Sequence, residues 1–169
     1  MSKTFFIADM HFGDANIILY ENRPYANIHE MRELMLSNWN TTVSSDDEVF
    51  VVGDFINFKG TKNPEEILSR LNGKINLIVG NHDKGYEEFY RNNGVNVIEY
   101  SIIYETFWII SHKPMYMNDN MPYVNIFAHV HNNPMYKNVS SRSFCVSAER
   151  INYTPIDFEV IKRLVQEEN

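Results

Sequence analysis

The chain has 169 residues, 44% hydrophobic and 22% charged, and 15 Lys plus Arg against 22 Asp plus Glu set the formal net charge at −7. This is ordinary globular usage for one domain over residues 1–169, and it excludes a wholly disordered chain, a coiled coil and a disulfide-stapled miniprotein. The acidic balance argues against a duplex nucleic acid partner, because phosphate binding usually needs a basic face.

Short apolar runs alternate with helical patterns, the signature of an α/β fold. The first run, Phe5 to Ala8, meets Asp9 and His11 too early for the apolar region of a signal peptide. Asn27 and Glu30 read as a capping pair, opening a helix with Ile28, Met31, Met35 and Trp39 on one face. A β-branched run follows at Val49 to Val52. Asn63-Pro64-Glu65-Glu66 starts a second helix with a cap, a proline in the first turn and acids suited to the helix dipole. That helix buries Ile67, Leu68 and Leu71 and stops near Asn72-Gly73. Leu77 to Val79 is a third strand, and a helix runs from Lys84 towards Gly94. Strands follow at Phe107 to Ile110 and Val124 to Ala128, with a proline-bearing loop between Ser111 and Asn125. Later strands are expected around Phe144 to Val146 and Tyr153 to Ile156. A final helix places Val160, Ile161, Leu164 and Val165 on one side. The sole cysteine, Cys145, reads as a buried strand residue and allows no internal disulfide, and no apolar run approaches a membrane span. A cytoplasmic protein is the expectation.

Five of the runs are followed within three residues by metal-ligand or proton-transfer side chains. They lead into Asp9-Met10-His11, Gly53-Asp54, Gly80-Asn81-His82-Asp83, Ser111-His112 and His129-Val130-His131. Of the six histidines only His29 falls elsewhere, at a helix start where it should face solvent. Alone, each match reads as a surface residue or an ordinary turn. Together they predict one pocket, since α/β sheets bind ligands at the carboxyl ends of their strands. The set is too rich for one tetrahedral zinc and suits two metals sharing a carboxylate such as Asp54. Imidazole without thiolate favours Mn, Fe, Zn, Co or Ni over Ca or Mg. Two divalent ions, two carboxylates and a bridging hydroxide leave the pocket locally cationic in an acidic chain.

Asp9-x-His11, Gly53-Asp54, Gly80-Asn81-His82-Asp83, His112 and Ala128-His129-x-His131 resemble, in order and spacing, the calcineurin-like metallophosphoesterases. The stretches from His11 to Ile18, Arg23-Pro24, Val146 to Glu149 and Tyr153-Thr154-Pro155 resemble small bacterial and phage-type members. The resemblance implies a four-layer α/β/β/α sandwich of the metallo-dependent phosphatase type. It implies two divalent ions, Mn favoured, one on Asp9, His11, Asp54 and His131 and the other on Asp54, Asn81, His112 and His129. His82 would be the proton donor to the leaving group, with Asp83 orienting its ring, during in-line attack by metal-activated hydroxide. Arg23, Asn16 and Lys113 are candidate substrate contacts, Arg23 and Lys113 being otherwise plain surface charges. Two departures stand out. Ala128 replaces the usual glycine and is tolerable only at negative φ, and Asp14, in place of a histidine, reads as a helix cap.

Gly53-Asp54-Phe55-Ile56-Asn57 lacks the Asp-Arg extension of serine/threonine phosphatases and the tyrosine of purple acid phosphatases. A minimal phosphoesterase is expected, a phosphodiesterase on small phosphodiesters or nucleotides or an undemanding phosphoesterase that also takes monoesters. The alternative is a non-catalytic protein-binding module on the same fold. A metallo-β-lactamase-type hydrolase would need a His-x-His-x-Asp-His run, which is absent. The stretch from Met115 to Met135, with four of the eight methionines, reads as cover for a sheet edge or as a lid.

Overall fold

The computed structural model describes residues 2–168; Met1, the first residue of the segment that reads as too short for a signal peptide, and Asn169 lie outside the described residues. In chain order the elements are β1 (Thr4–Ile7), α1 (Ala15–Tyr20), α2 (Ile28–Thr42), β2 (Glu48–Val51), α3 (Pro64–Ser69), β3 (Lys74–Ile78), α4 (Glu87–Asn92) and β4 (Asn96–Ile98). There follow β5 (Ile102–Tyr104), β6 (Trp108–Ser111), β7 (Val124–Phe127), β8 (Val139–Ser140), β9 (Ser143–Cys145), a 3-10 turn (Ala148–Ile151), β10 (Ile156–Asp157) and α5 (Phe158–Glu167).

Two five-stranded sheets result, ordered β10-β1-β2-β3-β4 and β5-β6-β7-β9-β8. The register aligns Phe5 with Val49 and Ile7 with Val51, and Val49 with Ile75 and Val51 with Leu77. Side chains alternate across a strand, so these residues share one face. There they meet Met31, Met35 and Trp39 of α2 and Ile67 of α3 in one core. Phe6, Phe50 and Ile78 point the other way, into a second core with Ile110, Ile126 and Phe144 of the facing sheet. Phe6 stacks on Phe50 at 5.2 Å and meets Phe158 of α5 at 5.5 Å. Each such ring removed from water contributes roughly 1.5–3 kcal/mol. The fold is mixed α/β, two sheets with helices, the class expected from the sequence. Among the described residues no helix is long and apolar enough to cross a membrane.

Several local readings change. Asn27 does cap α2, accepting from the His29 and Glu30 backbone N–H groups, and Asp14 caps α1 through Asn16 N–H. Asn63 makes no side-chain cap bond; Pro64 and the two acids start α3 without it, and α3 ends at Ser69, before Asn72. The helix after Lys84 starts only at Glu87, because Gly85 sits at φ +89° and breaks the turn before it. The expected strand at Tyr153 to Ile156 reduces to Ile156–Asp157, since Asn152 and Tyr153 are left-handed. The stretch from Met115 to Met135 is not one loop, because β7 passes through it.

Candidate metal centre

The loops leaving β1 and β2 run side by side beyond the strands. Asp9 N–H donates to Gly53 O, His11 N–H to Asp54 O and Phe12 N–H to Phe55 O, each at 3.0 Å. Asp9, His11, Asp54, His129 and His131 all hold left-handed backbone, with φ between 45° and 73°. Non-glycine residues there store strain that persists only where the surroundings over-determine it, and such strain clusters at functional sites. Ala128 is buried and not among the positive-φ residues, so its methyl group is accommodated. Gly53, at φ +85°, lies where a Cβ would meet the His112 ring at 2.3 Å. A Cβ on Gly80 would meet Asp54 Oδ1 at 2.3 Å.

This backbone gathers the seven donors named from the sequence. Asp54 Oδ2 lies 3.6 Å from His11 Nε2 and 3.5 Å from His112 Nε2. His112 Nε2 is also 3.0 Å from Asn81 Oδ1 and 3.1 Å from His129 Nδ1. His112 Nδ1 faces Val52 O at 2.9 Å. A carbonyl only accepts, so Nδ1 carries the hydrogen and Nε2 presents a bare lone pair to the cluster. On the other side Asp9, His11 and His131 bring ligand atoms within 4.8 Å of one another. Asp9 Oδ2 accepts from His129 N–H and Ser147 Oγ–H, and that joins the β1 loop to the loops after β7 and β9.

The remaining candidates are placed differently. His82 is exposed; its N–H donates to Asp54 Oδ1 at 2.9 Å and its ring sits edge-on to His11, centroids 4.9 Å apart. Asp83 does not orient that ring. Fully buried, it accepts from the N–H groups of Asp54, Phe55 and Gly80 and from Tyr90 Oη–H, at 2.8–3.0 Å. Otherwise orphaned strand-end donors claim the carboxylate, which thereby fixes Asp54. Arg23 is neither a surface charge nor open to a substrate. Its guanidinium is buried, donates to the carbonyls of Asp9 (2.6 Å) and Met10 (2.9 Å), and forks onto Glu149 Oε1. Asn16 is exposed on α1 and makes no side-chain hydrogen bond to the cluster. Lys113 is exposed beside His112 and lines a cavity with it.

Glu149 joins the cluster with no sign in its local sequence, although the run from Val146 to Glu149 carries part of the resemblance. Its Oε1 accepts from His131 Nδ1 at 3.1 Å and so leaves Nε2 for the cluster. Burial works against the Glu149 carboxylate, but the His131 hydrogen bond and Arg23 outweigh it and hold its pKa below the usual range. Burial likewise opposes a charged His131, yet Glu149 and Asp9 raise its pKa.

Divalent ions fit these residues. Asp9 Oδ1 and both His11 ring nitrogens are buried with no hydrogen-bond partner among the described residues. Buried polar groups are normally satisfied, and a cation is the partner a converging set of lone pairs lacks. Burial pushes the Asp9 carboxyl up to about 6 and, aided by His131, drives His11 down to about 2. Below pH about 6 a proton therefore competes for Asp9, and the raised His131 adds to the competition, whereas His11 stays free. Metal affinity is expected to fall as pH drops through 6, approaching about tenfold per unit from Asp9 alone. Calorimetric titration with Zn²⁺ or Mn²⁺ between about pH 5 and 7.5 reads this directly, and a flat profile contradicts it.

The family model for calcineurin-like phosphoesterases matches residues 2–168. The chain belongs to the calcineurin-like phosphoesterases. Members act on phosphate esters and depend on divalent metal, in keeping with the candidate ligand groups described above. An uncharacterized protein of Methanocaldococcus jannaschii is 37% identical over 98% of this chain and 93% of its own length. The gene 66 protein of Mycobacterium phage L5 is 31% identical over 49% of this chain and 41% of its own. A protein of unknown function from Aquifex aeolicus shares the phosphoesterase fold with a TM-score of 0.74, covering 97% of this chain and 100% of that one at 23% identity. Pseudomonas putida nuclease MPE follows at 0.54 and 21% identity, over 76% of this chain and 61% of its own.

Proposed function

We propose that the chain is a two-metal phosphoesterase that favours small phosphodiesters or nucleotides. One ion is held by Asp9, His11, Asp54 and His131, the other by Asp54, Asn81, His112 and His129, with Mn²⁺ the favoured metal. The observation that carries this reading is Asp54 Oδ2, set 3.6 Å and 3.5 Å from imidazole nitrogens of two separate donor groups. When bound, the ions supply a water acidified enough to attack near neutral pH, and positive charge against the phosphoryl oxygens. The reaction consumes one water. Its oxygen joins phosphorus, the ester P–O bond breaks, and the leaving oxygen takes a proton from His82. His82 is suited to this by its exposure and by the backbone bond that fixes it to Asp54. Asp83 positions the Asp54 backbone from beneath. A cytoplasmic location belongs to the same proposal, supported by the buried free thiol of Cys145.

The test compares bis-p-nitrophenyl phosphate with p-nitrophenyl phosphate, in Mn²⁺, Zn²⁺ or chelator. Metal-dependent turnover with the diester preferred is expected. His82→Ala is expected to keep two ions per chain and to lower kcat roughly 10²–10⁴-fold, the worth of a general acid. Loss of the ions in His82→Ala would overturn its role. Two bound ions without turnover of either ester would favour the binding-module reading.

A further inference from the structure

Two cavities open from the donor cluster, and they share no lining residue. One, about 750 Å³, adjoins His129 and His131 and is lined by Tyr20, Tyr136 and Asn132. The other, about 600 Å³, adjoins Asn81 and His112 and is lined by Lys84, Lys113 and Tyr100. Each lies within the range of an ordinary ligand pocket, so a lone phosphoryl group fills neither. A phosphomonoester with one organic group leaves one of them empty.

The two differ in chemistry. The Lys84–Lys113 cavity also holds two acids: Glu99 is paired with Arg91 at 2.7 Å, and Glu87 accepts from Gly85 N–H but keeps its charge. Neither lysine's ammonium group has an ion-pair or hydrogen-bond partner among the described residues, and both residues are exposed. With Glu99 matched by Arg91, the two ammonium groups face the single carboxylate of Glu87, a local excess of one positive charge in a chain whose overall charge is −7. The Tyr20–Tyr136 cavity has no lysine or arginine in its lining, and it offers two phenol rings and asparagine amides. Tyr20 is 79% exposed and Tyr136 41% exposed, so both rings have open faces. Lysines suit a phosphate; aromatic faces with amides suit a nucleobase.

We infer that the metal centre cleaves a phosphodiester inside a single-stranded nucleotide chain, with a neighbouring phosphate on Lys84 and Lys113 and a base against Tyr20 and Tyr136. This rests on the phosphoesterase reading and names its substrate class. Cleavage is the hydrolysis written above, one water giving a terminal phosphate on one fragment and a hydroxyl on the other.

The experiment uses thymidylyl-thymidine, plain or phosphorylated at either end, beside bis-p-nitrophenyl phosphate, in Mn²⁺. A phosphate on one end is expected to raise kcat/KM about tenfold, and Lys84→Ala/Lys113→Ala to bring that ratio to about one. Tyr20→Ala/Tyr136→Ala is expected to raise KM for the dinucleotide about tenfold. In parallel, fluorescence anisotropy follows binding of labelled oligothymidylate in chelator across a salt series. The lysine variant is expected to lower the salt slope by roughly 1.4, at about 0.7 per contact on a single strand. Cleavage of bis-p-nitrophenyl phosphate with no advantage for either phosphorylated dinucleotide overturns this inference and leaves the phosphoesterase reading standing. If no ester is cleaved, the phosphoesterase reading fails and the cleavage inferred here fails with it; an unchanged salt slope in the lysine variant overturns the placement of a phosphate on Lys84 and Lys113 even where esters are cleaved.

Discussion

Asp54→Ala is expected to abolish the binding of both ions at once. Its Oδ2 faces His11 and His112 at 3.6 Å and 3.5 Å, so each proposed ligand set loses the same oxygen. The effect extends past that oxygen, because Asp54 Oδ1 also accepts the His82 N–H. Turnover is expected to fall to the level of wild type in chelator. Metal analysis of the purified variant should give fewer than one ion per chain. Retention of two ions would show that the shared carboxylate is not the hinge of the site. Asp54→Asn is the sharper variant, since it keeps the shape and a neutral oxygen. It is expected to retain the fold while losing metal affinity.

Arg23→Ala is the second large effect, and it acts on stability as well as on the site. Arg23 and Glu149 meet at 2.6 Å with both side chains shut away from water, and Arg23 also satisfies the carbonyls of Asp9 and Met10. Removing one partner of a buried pair leaves an uncompensated charge and costs about 3–5 kcal/mol. For a chain of this size that lowers Tm by roughly 6–20 °C. The Arg70–Glu33 pair is just as short, 2.6 Å, but more than a third exposed on both sides. There Arg70→Ala is expected to cost no more than about 1 kcal/mol. Burial, not distance, separates the two outcomes. Metal affinity in Arg23→Ala should also fall about 10–100-fold, because Glu149 no longer holds the His131 ring firmly. Thermal melts of both variants, with metal titrations, check the contrast. Equal melts would show that the Arg23 pair adds nothing.

The parts of the site visible in the sequence were those in which residue type alone speaks. Aspartate, asparagine and histidine at the ends of five apolar runs mark the candidate ligands that the structure brings together. Arg23 and Asp83 were misread because a charged residue in a strand-end loop looks the same whether it faces solvent or carries the backbone beneath. Their burial depends on the β1 and β2 loops lying side by side, a long-range fact with no local sign. The left-handed conformations of Asp9, His11, Asp54, His129 and His131 were hidden for a related reason, since none of them is glycine. In the fold, the long runs stood out because both faces of the central strands are buried. The short strands β4, β5 and β8 escaped notice, being two or three residues long and only half covered. Alternation barely develops over so few positions.

The donors also divide between the sheets. Asp9, Asp54 and Asn81 leave the ends of β1, β2 and β3, whereas His112 and His129 leave β6 and β7 of the facing sheet. The two sheets already touch there, through the Ala8–Ser147 bridge and the Ala148 N–H bond to Ala8 O. Two ions held, as proposed, by both sets of candidate ligands would act as a rivet through the seam of the sandwich. The seam that lines up the proposed chemistry would then also resist the sheets sliding apart, and loss of the ions would loosen the sandwich as well as stop turnover.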